Sequence, residues 1–512
     1  MIAINIKKIF RVFILIFFLD YYQKFFKKNI KTIFSKSKKI ILFNATEDLK
    51  ALFFGYSLAL EKKFSNYQFI FYCPLFSFYR VNYKKNFFLF LVYFYYKNII
   101  LFFRNYKWKK LYSKFGSTFL IFNNWNIVKE IFLLRKAEKI LANIKSHNDL
   151  KKLRYKSILI GDLVYDTYLR YNNTYQFDLK SPFLAEILAK IIFRYDKFSK
   201  ILLKFNIHEY YTNQLGYTHH GLLIRFLRKN KRKVFNFMWM SGPYYSKISS
   251  YFYPYNFKKY RVIFKKLKNK NQLLAEASKL LKKKFSGDII SQENYMPYSV
   301  YKRTSVNYLP KIKGIIFLHC FVDTPISKGK LIFQDHYYWI VETLEFLKNN
   351  NLMEGIAIKT HPDSKEASLK CVNDLKNKFP NFIWLDSTVS NADIFRKKPI
   401  FGISAAGTVL YELAYHKILP ISAGEHPSIA YNFVLSPKNK SEYFQFLTKA
   451  INMKIKMTYN FREILEFVYC NYIYDTSESN LLAKKINLKD WDFKTSKVII
   501  NFYKALKKIK KC

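Results

Sequence analysis

The residues best suited to chemistry cluster between positions 355 and 427. Lys359 and His361 flank Thr360 at the end of the apolar run Ile356–Ile358, and Pro362 follows. A cation and a proton donor at a strand end suit a phosphate oxygen that gains charge as its substituent departs. Pro362 restricts the preceding residue to extended geometry, which holds the imidazole at the strand end instead of letting a helix start there. Downstream, Ser404, Ala405, Ala406, Gly407 and Thr408 follow a second apolar run, Pro399–Ile403. Their small size lets the backbone approach an anion, and the helix expected next offers unpaired N–H groups and a partial positive charge. Glu412, one turn into that helix, is placed to contact a ribose. The same five residues also read as an ordinary strand-to-helix turn capped by Thr408, since no Walker or Rossmann glycine pattern is present. The His361-Pro362 pair on a neighbouring strand tips the balance toward an anion site.

Carboxylates and further histidines lie upstream. Asp162 and Asp166 are four apart and share a face if the segment is helical. A cleft-facing carboxylate there, Asp162 for choice, is a candidate general base. Against this, Asp162 also suits a helix cap, and Asp166 suits pairing with Arg170 at the same spacing. His219 and His220 follow a polar loop and read either as acceptor contacts or as capping and packing residues. No adequate ligand set accompanies them, and no DxD pattern is visible, so no metal is expected. His319 and Asp323 sit after the apolar run Ile315–Leu318.

The elements that must position these groups follow from hydrophobic pattern. Ile315–Leu318, Ile356–Ile358, Phe382–Leu385, Pro399–Ile403 and Leu419–Ile421 are short apolar runs alternating with helical periodicity, notably over Phe333–Leu347. That alternation predicts a buried parallel sheet, whose ligands bind beyond the carboxyl ends of the strands. Lys39–Phe43, Phe69–Tyr72, Phe205–Tyr211 and Val234–Trp239 read as strands of an earlier sheet. The expected organisation is a basic amphipathic segment at 1–38, a Rossmann-like domain at 39–255, a Lys-rich helical crossing at 256–312, a second Rossmann-like domain at 313–440, and carboxyl-terminal helices at 441–512.

Several of these blocks also carry a family resemblance. Lys359-Thr-His361-Pro362, Gly402 to Glu412, Phe317 to Asp323, Phe333 to Trp339 and the Tyr155–Arg170 block, with Gly161-Asp162 and Tyr165-Asp166-Thr167, resemble bacterial capsule and surface-polysaccharide glycosyltransferases. That group includes Kdo transferases, sialyltransferases and polyol-phosphate transferases. The resemblance spans roughly residues 155 to 440. It implies an α/β protein of GT-B type, with two Rossmann-like domains facing a cleft and a nucleotide sugar held mainly by the second. It further implies sugar transfer to a lipid-linked or surface-polysaccharide acceptor, with the nucleotide sugar as co-substrate and no cofactor or metal. Lys359, His361, Pro362, His319, Ser404–Thr408 and Glu412 would then hold the donor, with His361 also catalytic. Asp162 would act on the acceptor, and Asp166, His219 and His220 would bind it. Polyol-phosphate transfer and nucleotide-sugar epimerisation are alternatives on the same fold.

Composition sets the outer bounds. At 512 residues the chain can bury two cores, and with 50% hydrophobic residues it is not mainly disordered. There are 88 Lys and Arg against 35 Asp and Glu, a formal charge of +53. Such a surface seeks polyanions. A basic nucleic-acid-binding protein is the non-enzymatic rival, but no nucleic-acid motif is found and the aromatics lie in apolar runs. Anionic membrane is the expected partner: residues 1–34 mix Lys with Phe, Ile and Leu and read as an interfacial helix. The expected location is cytoplasmic, peripheral on the inner membrane, and the five scattered cysteines suit a reducing compartment. The apolar stretch Phe87–Phe103, interrupted by Lys97 and Asn98, reads evenly as a membrane-contacting helix or a core helix.

Overall fold

A computed structural model describes residues 39–46, 67–75, 77–112, 118–239, 243–247, 257–287, 299–301, 309–327, 329–364, 366–455 and 460–474, with Ala51, Gly55 and Leu58. The expected interfacial segment 1–38 and the end of the Lys-rich tail lie outside the described residues.

The first sheet contains β1 (Lys39–Asn44), β2 (Tyr67–Tyr72) and β3 (Thr118–Leu120). A small separate hairpin, β4 (Arg154–Tyr155) and β5 (Ile158–Leu159), precedes the remaining strands β6 (Ile207–Thr212), β7 (Lys233–Trp239) and β8 (Pro243–Lys247). The order is β3-β2-β1-β6-β7-β8, parallel throughout except for β8, which runs antiparallel at the edge. The second sheet holds β9 (Gly314–Phe317), β10 (Ile356–Lys359), β11 (Ile383–Leu385), β12 (Phe401–Ser404) and β13 (Leu419–Ser422). Its order is β11-β10-β9-β12-β13, all parallel. Each sheet therefore starts at its centre, winds outward one way, then crosses back. That is the Rossmann arrangement, and it opens a crevice beside the central strand of each sheet, at β1/β6 and at β9/β12.

Helices fill the faces. In the first domain these are α1 (Phe87–Tyr112), α2 (Ile127–Leu141), α3 (His147–Lys152), α4 (Gly161–Asn172), α5 (Phe183–Lys204) and α6 (Tyr217–Lys229). The crossing contributes α7 (Tyr260–Lys266) and α8 (Lys270–Phe285). The second domain has α9 (His336–Asn349), α10 (Glu366–Lys378), α11 (Asn391–Arg396) and α12 (Val409–Tyr415), followed by α13 (Lys440–Ile451) and α14 (Phe461–Val468). Helix α9 starts where Asp335 accepts from the Tyr338 N–H (2.9 Å), an N-cap that begins the helix three residues beyond the sequence-based start. Helix α13 packs on the second sheet, whereas α14 joins α7, α8 and Leu410 in a separate apolar cluster.

Helix α1 is buried on one side only. Phe90, Phe94, Asn98, Leu101, Asn105, Trp108 and Tyr112 recur at spacings of three and four and face the domain. Tyr79 meets Phe90 edge-on (4.9 Å), the Cys73 thiol donates to Asn105 Oδ1 (2.9 Å), and the Tyr112 hydroxyl donates to the Thr46 carbonyl (3.2 Å). The opposite side is exposed, with Phe88 at 76% and Phe103 at 65%.

The two domains meet through the loop after β9. Asp166 on α4 accepts from the Ser327 and Ile326 N–H groups (2.7 and 3.2 Å). The Tyr165 hydroxyl donates to Asp335, and the Tyr217 hydroxyl to Asp323 Oδ1 (2.7 Å). Gly216 lies so close that a Cβ there would fall 2.5 Å from Thr324 Cγ2. The carboxyl ends of both sheets thus open toward one cleft.

Candidate functional site

The register of the second sheet sets the site. Lys359, Phe317 and Ser404 lie abreast on β10, β9 and β12. Two residues further on, His361, His319 and Ala406 leave the sheet at the same end. The His319 and His361 rings are 5.5 Å apart at 27°, and His336 from the start of α9 lies 4.4 Å from His319. The Asp363 N–H donates to His361 Nδ1 (3.1 Å), so the neutral ring carries its proton on Nε2. The Ser364 hydroxyl donates to the His361 carbonyl (2.8 Å) and fixes the turn after Pro362. His319 Nδ1 faces the Cys320 carbonyl (3.4 Å), an acceptor only, which assigns the proton to Nδ1 and leaves Nε2 as the acceptor nitrogen. One histidine of the pair is set to donate and the other to accept.

Across β9 the turn after β12 is open. Gly407 has φ +128°, and a Cβ built on it meets nothing within 4 Å. Ala406 and Gly407 are half-buried and Thr408 is exposed, so this backbone borders solvent. Ala405 is fully buried, and its carbonyl would lie 2.8 Å from a Cβ on Gly424, so the turns after β12 and β13 are pressed together. The Ser404 hydroxyl donates to the Ala406 carbonyl (2.9 Å), with the Phe317 carbonyl an alternative acceptor at 3.4 Å, bracing the turn from within. Helix α12 is only seven residues long, and Thr408 does not cap it through its side chain. A ligand reaching this turn would therefore meet its backbone more than a helix terminus.

Several expected site residues have other work. Lys359 is 2% exposed, and its Nζ donates to Asn391 Oδ1 (2.7 Å) beneath the strand ends. Burial pulls its pKa down to about 8. Glu412 does not reach the cleft: Lys284 of α8 lies 2.6 Å from Oε1, and the Tyr301 hydroxyl donates to Oε2 (2.5 Å). Burial raises its carboxyl, and Lys284, Tyr301 and Thr408 more than offset this, leaving it below the ordinary range. Asp162 is held by both terminal guanidinium nitrogens of Arg225 at 2.6 Å, buried between α4 and α6. A carboxylate so engaged lacks the accessible lone pair that a general base needs. Asp166 meets the backbone of the second domain instead of Arg170 or an acceptor, and burial pushes its pKa up to about 7.

His219 and His220 lie at the carboxyl ends of β1 and β6, but their rings face inward. His220 Nδ1 accepts from Asn44 Nδ2 (2.9 Å), and His219 stacks on Tyr217 at 5.6 Å and 8°. Burial lowers both pKa values, His220 to about 3, so both rings are neutral. Their packing role is the one realised here. Among the described residues no group of three or more His, Cys, Asp or Glu is placed to hold a metal. Sequence reasoning gave no site role to Asp323, Tyr217 or Lys284. Asp323 had a local signal, since it follows a buried strand; the partners of Glu412 had none, because Lys284 and Tyr301 are distant in sequence.

No family model matches the chain, and no curated protein matches it. Similar solved structures include a Listeria monocytogenes protein assigned as a UDP-N-acetylglucosamine 2-epimerase, at 8% identity and TM-score 0.24, covering 86% of this chain and 92% of that one. Another is a UGT transferase from Siraitia grosvenorii in complex with UDP, at 8% identity and TM-score 0.25, covering 93% and 99%. At such TM-scores neither likeness carries weight for site or chemistry.

Proposed function

We propose that this chain is a metal-independent glycosyltransferase of GT-B type. It transfers a sugar from a nucleotide-activated donor to a lipid-linked or surface-polysaccharide acceptor on the cytoplasmic side of a membrane. The observation that carries the reading is the strand-end group of the second sheet, where the donor-form His361 and the open Gly407 turn flank His319 at the mouth of a cleft between two Rossmann-like sheets. In this reading His361 Nε2–H donates to the phosphate oxygen that gains charge as the sugar leaves. The Ala406–Gly407 backbone receives the diphosphate or monophosphate. Removal of the acceptor proton passes from Asp162 to the cleft-side groups His319, with Nε2 as acceptor, and Asp323. Cys73, Cys320, Cys371 and Cys470 stand as thiols, which accords with a cytoplasmic setting.

The test pairs ligand binding with two substitutions. Thermal shift against CMP-, UDP-, GDP- and CDP-linked sugars identifies the donor. His361→Ala then lowers turnover about a hundred- to thousandfold with little change in nucleotide affinity. Gly407→Val chiefly weakens nucleotide binding, because it places bulk on an open turn at a φ that side chains rarely adopt. If both variants fold and keep wild-type turnover and affinity, the donor site lies elsewhere. Conversion of the donor sugar without any acceptor would replace transfer with epimerisation.

A further inference from the structure

The strongest feature outside the cleft is helix α1. It is long and apolar enough to cross a membrane over Phe87–Asn105, yet only 22% of that span is buried. Its buried stripe runs from Phe90 to Tyr112 and is fastened to the domain along its whole length, by Tyr79, Cys73 and Thr46 in turn. Crossing a bilayer would strip all of these contacts and carry Asn98 and Asn105 into hydrocarbon. The helix therefore lies against the domain and presents its other side outward. That side offers Phe88, Val92, Tyr96, Ile99, Phe102 and Phe103, each between 46% and 76% exposed. So many large, exposed apolar side chains on one helix face form a contiguous patch of the kind that marks an interaction site.

Charge and residue type identify what covers this face. The helix carries Lys97, Arg104 and Lys109 among its described side chains and has no Asp or Glu in its sequence, and Lys85 is exposed just before it. A second protein surface would need a large acidic rim to match, whereas a bilayer rich in anionic lipid supplies negative charge beside an apolar interior. Tyr and Phe outward with basic residues interspersed is the make-up of helices that lie in the headgroup region. We infer that the outer face of α1 docks flat on an anionic lipid bilayer, with Phe88 and Phe103 as its most protruding anchors.

The placement also bears on the acceptor. Asn105 bonds Cys73 just after β2, and Tyr112 bonds Thr46 just after β1, so the last turns of α1 run beside the carboxyl ends of the first sheet. A bilayer on α1 thus adjoins the first domain's side of the cleft. Resting on the glycosyltransferase reading, this favours an acceptor held in the membrane by its own lipid; docking itself is independent of that reading.

The full chain is mixed with vesicles of phosphatidylcholine and phosphatidylglycerol, or of phosphatidylcholine alone, and sedimented without any sugar donor. Wild type sediments with the anionic vesicles. Phe88→Glu/Phe103→Glu binds them about tenfold less or weaker, since two aromatic anchors are lost and two charges face like charge. Its circular dichroism and nucleotide-induced thermal shift stay unchanged. Phe103→Trp, which keeps the surface apolar, adds indole fluorescence over wild type that brominated lipid quenches. Unaltered vesicle binding by the double variant overturns the inference, as does added fluorescence in Phe103→Trp that brominated lipid leaves unquenched. So does a wild type that ignores anionic vesicles but loses self-association on the double substitution, because the face then joins two copies. Failure of sugar transfer with lipid binding intact would overturn only the functional reading.

Discussion

Asp162 and Asp166 sit one turn apart on α4 and illustrate what residue spacing can and cannot convey. Their i,i+4 relation places both on one helix face, but it says nothing about burial, nor about Arg225 or the Ser327 backbone, which reach them from far along the chain. Both helices around Asp162 must pack before its partner is defined. The Asp162–Arg225 pair is bidentate and nearly solvent-free, so removing one charge strands the other. Asp162→Asn should lower unfolding free energy by about 3 to 5 kcal/mol, read from urea denaturation, while turnover per folded molecule holds. A collapse of turnover at unchanged stability would return the base role to Asp162.

At the scale of elements, the second sheet was legible almost strand for strand. Parallel strands covered on both faces must be continuous apolar runs, and Ile356–Lys359 or Leu419–Ser422 could hardly be read otherwise. The first sheet was less so: β3 is three residues long and β8 is an edge strand, both too short or too mixed in pattern to stand out, as is the separate two-residue hairpin of β4 and β5. Helix α1 resisted a decision because its hydrophobicity continues around both faces, hiding the stripe that packs. What no pattern discloses is fit between neighbours. Gly314 opens the central strand under the Phe401 ring, and a Cβ there would lie 2.2 Å from the ring edge. Gly314→Ala should therefore cost about 1 to 3 kcal/mol through overpacking in a fully buried sheet, checked by the denaturation midpoint. An unchanged midpoint would mean that Phe401 moves aside freely.

For the whole molecule, the joint between domains is the telling feature, and it depends on pH through Asp166. Its folded-state pKa, about 7, lies above the ordinary carboxyl value of 3.8, and burial is the cause. The folded protein thus binds this proton more tightly than the unfolded chain does. The resulting stabilisation is complete below about pH 4, declines as pH rises, and is gone above about pH 7; it amounts to about 4 kcal/mol at most. Asp166→Asn lacks this dependence. The melting temperature of the variant relative to wild type should therefore rise as pH is taken from about 4 to about 7, whatever its offset. A gap that is flat over that interval would show that the anion is as well accommodated as the acid. Buried groups elsewhere, such as Glu186 with its pKa raised to about 7, are common to both proteins and cancel in the comparison.

The pairing of β1 with β6 has a consequence in time. A ribosome releases α1 long before it completes Ile207–Thr212, the strand that joins β1 across the middle of the first sheet. At ordinary rates of synthesis that interval is on the order of ten seconds. During it Phe90 and Phe94 have Tyr79 and Tyr83, made before them, but not the finished core of the first domain, and under the proposed docking a bilayer would compete with the unfinished domain for them. Correct folding requires that the domain win the Phe90–Tyr112 stripe of α1; under the docking proposed above, the other face is what remains for lipid.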